Sequence, residues 1–293
     1  RGKGVTTMAI ELRGVTKRYG ATTALDNVSV KFGGGIVYGL LGANGAGKTT
    51  MMNLITNRIW ADEGEITIDG ESAPGNDRAL GKVYMMAEAN LFPDSMKVDG
   101  ALKLTRSFYP TFDMDYAMSV AEKFALPTKK KVKALSTGYA SIFRLTLALA
   151  VNCPYVIFDE PVLGLDAQHR DLFYRLLMEK CAECEQTVIL STHLIQEAAK
   201  LINHAVIIKN GKILRDSDAD ELSGAAYQVS GPAAAVDGYL RGRHALSVNS
   251  LGGLKTACVE GVPDERGSEG LEFSNMDLQD YFIGLMNEQE GVK

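Results

Sequence analysis

The sequence predicts an α/β fold in which helices flank a parallel sheet. Three observations point there. Short apolar runs at Ile36–Leu41, Tyr155–Phe158 and Thr187–Leu190 read as buried strands. The stretch 167–185 between the last two reads as a helix, and such alternation builds a parallel sheet. A glycine-rich loop, Gly42–Thr49, follows the first run and opens a further helix.

In chain order, residues 8–46 read as short strands, with Val28–Phe32 alternating as a half-buried strand does. A helix is expected from Gly47 to about Arg58. Glu65–Ile68 alternates again and stops at Asp69-Gly70, a hairpin signal. From 98 to 150 the texture becomes helical. Leu102, Phe108, Met114, Met118, Phe124 and Leu126 recur at mostly helical spacing, broken by Pro110 and Pro127. After the strands and helix of 155–190, Val206–Ile208 and Ile213–Leu214 flank Lys209-Asn210-Gly211-Lys212, a second hairpin signal. Glycine and alanine then cluster, which marks a boundary at 220–226. Beyond it, Tyr227–Val229 and Ala245–Val248 are candidate strands, and Asp277–Asn287 a terminal amphipathic helix.

Composition narrows the function. The chain has 293 residues, 46% hydrophobic and 23% charged, enough for one large domain or a domain with an appendage. Its net charge of −5 disfavours nucleic acid, whose binding faces are basic. The most apolar stretch, Ile142–Phe158, is interrupted by Arg144, Asn152 and Pro154, so no membrane-spanning segment is expected. Residues 1–7 precede the first Met, lack the apolar core of a signal peptide and are left out of the expected fold. Four cysteines make no disulfide framework and fit a reducing cytosol. Cys181 and Cys184 form a lone C-x-x-C inside the expected helix, without a second pair at zinc spacing.

Gly42-Ala43-Asn44-Gly45-Ala46-Gly47-Lys48-Thr49 fits G-x-x-x-x-G-K-[ST] between a strand and a helix. Glycines let backbone N–H groups turn inward around phosphates, and the helix N-terminus adds positive potential. Lys48 reaches the outer phosphates and Thr49 offers a hydroxyl to Mg²⁺. Asn44, Gly45, Ala46, Gly47, Lys48, Thr49 and Thr50 are therefore the candidate nucleotide-binding residues. Tyr155–Phe158 runs into Asp159-Glu160. Behind such a loop, an acid at a strand end holds Mg²⁺, and the adjacent Glu160 can polarise the attacking water.

Together these motifs resemble the ABC ATPases over about residues 8–222. Leu135-Ser136-Thr137-Gly138-Tyr139 resembles that family's signature loop, Gly164-Leu165-Asp166 its D-loop, Ser191-Thr192-His193 its switch-histidine loop and Arg18-Tyr19-Gly20 its aromatic A-loop. The resemblance implies a RecA-like P-loop NTPase core, an antiparallel β subdomain and a helical signature subdomain at about 90–152. A small α+β accessory region, 223–293, follows the 8–222 cassette. It implies ATP and Mg²⁺ as cofactors, with Tyr19 stacking on adenine and Ser136 and Gly138 touching the γ-phosphate held by a second subunit. Lys48, Glu160 and His193 would be catalytic, and Thr49 and Asp159 would be metal ligands. Asp166 would signal across the dimer or simply cap the helix after it.

The family loop also expects a glutamine between Tyr84 and Phe92. Aligning on Leu91 puts Ala87 there, and aligning on Val98 puts Glu88, which makes Glu88 a third candidate metal ligand. Thr137 and Tyr139 depart from the usual L-S-G-G-Q. The missing glutamine resembles a bacterial subset linked with GntR-type regulators and export. The expected partners are a separately encoded transmembrane permease and a second ATPase subunit, at the cytoplasmic face of a bacterial membrane. Phe92, the helical insertion and the basic run Lys129–Lys133 are candidate partner or leaflet contacts. A soluble, non-transport ABC ATPase and a hydrolysis-impaired regulatory cassette are the alternatives.

Overall fold

The computed structural model describes residues 8–86, 91–264 and 269–287. The chain begins with two long strands, β1 (Ala9–Tyr19) and β2 (Thr22–Gly33), then β3 (Val37–Leu41) and α1 (Lys48–Ile55). Next come β4 (Glu63–Ile68), β5 (Glu71–Ser72), α2 (Asp77–Leu80) and β6 (Val83–Met86). The helical stretch holds α3 (Val98–Phe108), α4 (Met114–Lys123) and α5 (Thr137–Ala150). It is followed by β7 (Tyr155–Asp159), α6 (Ala167–Glu183), β8 (Thr187–Ser191), α7 (Ile195–Ala198), β9 (His204–Lys209), β10 (Lys212–Asp218) and α8 (Ala219–Gly224). The remainder is β11 (Ala226–Pro232), α9 (Ala233–Tyr239), β12 (Ala245–Leu251), β13 (Leu254–Glu260), β14 (Glu272–Asn275) and α10 (Leu278–Asn287).

The central sheet has the order β10-β9-β3-β8-β7-β6, parallel except for the β10 edge. Its inner strands β9, β3, β8 and β7 are buried on both faces, and their alternate residues feed two cores. Leu41, Phe158, Leu190 and Ile207 join the core that takes in the helices α3 to α7. Leu40, Ile157, Ile189 and Ile208 join the one shared with α1 and the antiparallel sheet β2-β1-β4-β5. This double burial explains the uninterrupted apolar runs in the sequence. Each such leucine or isoleucine contributes roughly 1.5–3 kcal/mol.

Both hairpin signals form tight turns. Asp69 and Gly70 have φ of 52° and 77°, and Asn210 and Gly211 have 50° and 76°, the paired positive values of the two-residue turn. The prolines punctuate as expected. Tyr109, before Pro110, is extended and ends α3, while Asp113 caps α4 by accepting the Tyr116 N–H at 2.9 Å.

Three expectations need correction. The region 8–46 is not a set of short strands: β1 and β2 run 11 and 12 residues, and shifts of register at Leu12/Val15 and Val15/Lys17 break the alternation that would have revealed them. The first helix starts at Lys48, with Gly47 at its N-cap in a φ of 116°, and stops at Ile55, short of the expected Arg58. The sequence reading also passed over β6, a central-sheet strand of only four residues.

Past α8, the chain forms a third, antiparallel sheet of order β12-β13-β11-β14. Tyr227, Val229, Val236, Tyr239, Ala257 and Val259 form a small core between this sheet and α9. On the other side, Leu246, Cys258, Tyr281 and Leu285 are continuous with the helical core of the preceding region. Among the described residues, no helix is long and apolar enough to cross a membrane.

Candidate active site

Parallel strands aim their C-terminal ends at one edge of a sheet, where open α/β folds bind ligands. Here β3, β8 and β7 are neighbours, and Leu40 and Asp159 both pair with Ser191. The loops after these three strands carry the phosphate cradle, Asp159-Glu160 and His193.

The cradle turns from β3 into α1. A Cβ on Gly47 would lie 2.6 Å from the Ala24 carbonyl oxygen, so β2 closes the back of the loop and only glycine fits. Gly211 ties the far side, donating its N–H to the Ala46 carbonyl at 3.0 Å and accepting the Asp26 N–H at 2.9 Å. Lys48 is 8% exposed. Its ammonium donates to the carbonyls of Gly42 at 2.6 Å and Ala43 at 3.1 Å, folded over the loop it belongs to. Burial lowers its pKa, while the carboxylates of Glu160 and Asp159 oppose that fall.

Thr49 donates its hydroxyl to Asp159 Oδ2 at 3.2 Å. Burial raises the Asp159 pKa, and the charge of Glu160 adds to the rise. These are hard oxygen donors, few in number, beside a phosphate cradle. That donor set suits Mg²⁺, which binds one or two carboxylates and completes its shell with water and substrate phosphate.

Glu160 leaves β7 with a φ of 47°, an uncommon value for a residue with a side chain. Its N–H still reaches the Ser191 carbonyl at 2.9 Å, so the turn is anchored to β8. The carboxylate meets His193 twice: Oε2 lies 2.7 Å from the ring Nδ1 and accepts the backbone N–H at 3.4 Å. An ionised Glu160 can only accept, which leaves Nδ1 as the donor and Nε2 facing outward from the pair.

The other expected residues lie farther out. Ser136 caps α5, accepting the Tyr139 N–H at 3.4 Å, and both Ser136 and Thr137 are exposed. Gly138 backs closely onto the Gly164 carbonyl, which an added Cβ would approach to 3.3 Å. Tyr139 is partly buried against the helical core. Tyr19 is 51% exposed at the β1–β2 hairpin, with Lys17 Nζ 5.5 Å from its ring centre. Asp166 caps α6, accepting the His169 N–H at 2.9 Å. Ala87 and Glu88 lie outside the described residues. Asn44, Gly45 and Thr50 lie in or just after the cradle, as the motif requires.

Sequence reading missed the supports of the D-loop. Ser141 donates to the Leu163 carbonyl at 2.9 Å, and Arg170 donates to Leu165 O at 3.1 Å and Glu197 at 2.9 Å. Arg170 thereby links the D-loop to the helix that follows His193. The lone C-x-x-C ends α6, with Cys184 at its C-cap, and no described group of three His, Cys, Asp or Glu residues could hold a metal.

Fold and site together define a P-loop ATPase with a signature helix, and comparisons with known proteins place it further. The family model described as ABC transporter matches residues 25–163. The ABC transporter ATP-binding protein YtrB of Bacillus subtilis (strain 168) is 31% identical over 213 residues, 73% of each chain. The Nod factor export ATP-binding protein I of Paraburkholderia xenovorans (strain LB400) is 37% identical over 212 residues, 70% of this chain and 69% of that one. Among solved structures, an ATP binding subunit of an ABC transporter superposes with a TM-score of 0.67 at 24% identity, over 74% of this chain and 92% of that one. A bacterial ABC transporter cassette solved as a dimer gives 0.64 at 24% identity, over 71% and 98%. At that identity the structures speak to the fold alone. The chain belongs to the ABC transporter ATP-binding proteins. It is an ATP-binding, ATP-hydrolysing subunit.

Proposed function

We propose that this chain pairs with a second ATPase subunit around two MgATP and drives export through a separate permease at the cytoplasmic face of the membrane. The working unit would be the 8–222 cassette, with 223–293 as an accessory region. The observation that carries the hydrolytic reading is the 2.7 Å contact between Glu160 and His193 beside the phosphate cradle.

The cradle amides and Lys48 bind the phosphates of ATP, and Tyr19 covers the adenine. Thr49 and Asp159 would hold Mg²⁺, with Glu88 as a further candidate ligand; when bound, the ion would neutralise charge on the outer phosphates. Glu160 accepts a hydrogen bond from a water in line with the γ-phosphorus. The water oxygen bonds to phosphorus, the bond to the bridging oxygen breaks, and the water's proton passes to Glu160. His193 donates Nδ1–H to that carboxylate, and its Nε2 donates to the γ-phosphate only when both ring nitrogens carry protons. Ser136 and Gly138 of the second subunit close the other side of the nucleotide. ATP thus touches both subunits, which gives closure its differential affinity.

The permease reading draws on a cleft of about 490 Å³ between the central sheet and α3, lined by Arg58, Tyr84, Leu91, Phe92, Phe108 and Tyr109. Leu91 and Phe108 are 68% and 73% exposed at its rim. An apolar cleft beside the helical subdomain suits an amphipathic helix from a membrane subunit. Export rests on the names of relatives such as the Nod factor export proteins.

Glu160→Gln tests the sandwich. The variant keeps the cradle and should accumulate as an ATP-bound dimer in saturating MgATP, at twice the monomer mass by light scattering. A persistent monomer would count against two subunits enclosing the nucleotide.

A further inference from the structure

The helix that follows His193 lacks an N-terminal cap of its own. Position 194 is a leucine, and α7 has no side-chain cap from its own N-cap residue. Thr192 satisfies only the Leu194 N–H, at 3.1 Å. The first turn of any helix leaves backbone donors unpaired, and a polar side chain normally supplies the acceptor. Here the acceptor comes from 83 residues away: the Gln196 N–H donates to Gln279 Oε1 at 3.1 Å.

Gln279 sits on α10, and α10 is held at both ends and in its middle. Asp277 accepts the Asp280 N–H at 2.8 Å at its start. Leu278, Tyr281 and Leu285 are buried on one face, and Arg215 of β10 donates to the Tyr281 hydroxyl at 3.1 Å. At the other end, Lys209 of β9 donates to the carbonyls of Leu285 at 3.5 Å and Met286 at 3.3 Å. The same Arg215 pairs with Glu260 of β13 at 3.2 Å. The Gln279 carbonyl is therefore a fixed acceptor, positioned by the central sheet and the accessory sheet together.

We propose that Gln279 is a positioning residue for hydrolysis. It caps the switch helix from the accessory region and so fixes where His193 holds Glu160. It touches neither the nucleotide nor the reacting atoms. It acts through α7, three residues beyond His193, so its loss should slow the chemical step and leave ATP binding alone. The accessory region thereby gains a route to the turnover rate. The inference rests on Glu160 and His193 being the hydrolytic pair.

The test uses the full chain with Gln279→Met, which keeps length and removes the acceptor, and Gln279→Glu, which keeps an acceptor oxygen. Gln279→Met should lower kcat about three- to tenfold with KM for ATP within about twofold, and hydrogen exchange at the Gln196 amide should speed up. Gln279→Glu should restore both to within about twofold of the unmodified chain. Wild-type kcat in Gln279→Met, whatever its exchange rate, overturns the proposal. So does equal impairment of the two variants, or a rise in KM that matches the fall in kcat. Glu160→Gln serves as the reference. If it hydrolyses ATP normally, the hydrolytic pair itself is misassigned. If it is inactive while Gln279→Met is normal, only the positioning role fails.

Discussion

If His193 serves hydrolysis by holding Glu160, the two residues act as one unit. Removing either should then make removal of the other nearly silent. The contact is 2.7 Å, Nδ1 to Oε2, with the His193 ring 55% exposed and the Glu160 carboxylate 24% exposed. A hydrogen bond to a charged group is worth about 1.5–3 kcal/mol. If that energy is expressed in the transition state, His193→Ala lowers kcat about 10- to 150-fold. Glu160→Gln removes the base and lowers kcat about 10²- to 10⁴-fold. Independent action predicts that the double variant multiplies these losses. Shared action predicts that it falls no further than Glu160→Gln, within about threefold. The assay is phosphate release in saturating MgATP, with nucleotide affinity measured separately. Multiplicative losses would refute the idea that His193 works through Glu160, and would assign its catalytic effect to a contact with the phosphate alone.

Three further outcomes are expected. Lys48→Ala should lose ATP binding by equilibrium titration, since its ammonium lies folded over the loop that would hold the phosphates; unchanged affinity would remove Lys48 from the site. Gly47→Ala should lower the melting temperature and weaken nucleotide binding together, because the new methyl meets the Ala24 carbonyl at 2.6 Å in a backbone conformation that itself costs about 1–3 kcal/mol; a normally stable variant would contradict the packing behind the cradle. Of the four thiols, Cys153 and Cys258 are buried, and that burial pushes their pKa values up to about 12 and about 11. At pH 8 both should react with a thiol reagent only after unfolding, and prompt labelling of either in the folded chain would be the contrary result.

Much of the candidate site's geometry was legible because its motifs are local. A phosphate loop must be contiguous, since neighbouring amides form it, and Asp159-Glu160 must end a strand to reach the same edge. What the sequence hid is what depends on distant partners. The Gln196–Gln279 contact and the salt bridge of Arg170 with Glu197 join residues far apart in the chain, and a helical pattern does not say which distant residue its polar face will meet. The positive φ of Glu160 has no composition cue, because glycine or asparagine usually announces such a turn and glutamate does not. The fold behaved likewise. Buried parallel strands announced themselves, whereas β1 and β2 showed as strands but hid their length behind register shifts, and β6 was too short to show a pattern. In the accessory sheet, β13 and β14 stand beside the two strands that were expected there.

The posture of Lys48 has a thermodynamic corollary. Its ammonium has already left bulk water during folding and rests on two peptide dipoles of its own loop. If Lys48 takes the phosphates, nucleotide arrival would be an exchange of ligands on a cation, carbonyl oxygens for phosphate oxygens, with little fresh dehydration of the lysine. Calorimetry should accordingly register binding that depends weakly on the lysine's hydration and strongly on the charge of the incoming phosphates. A cradle of that kind would discriminate by the strength of the anion that displaces its own backbone.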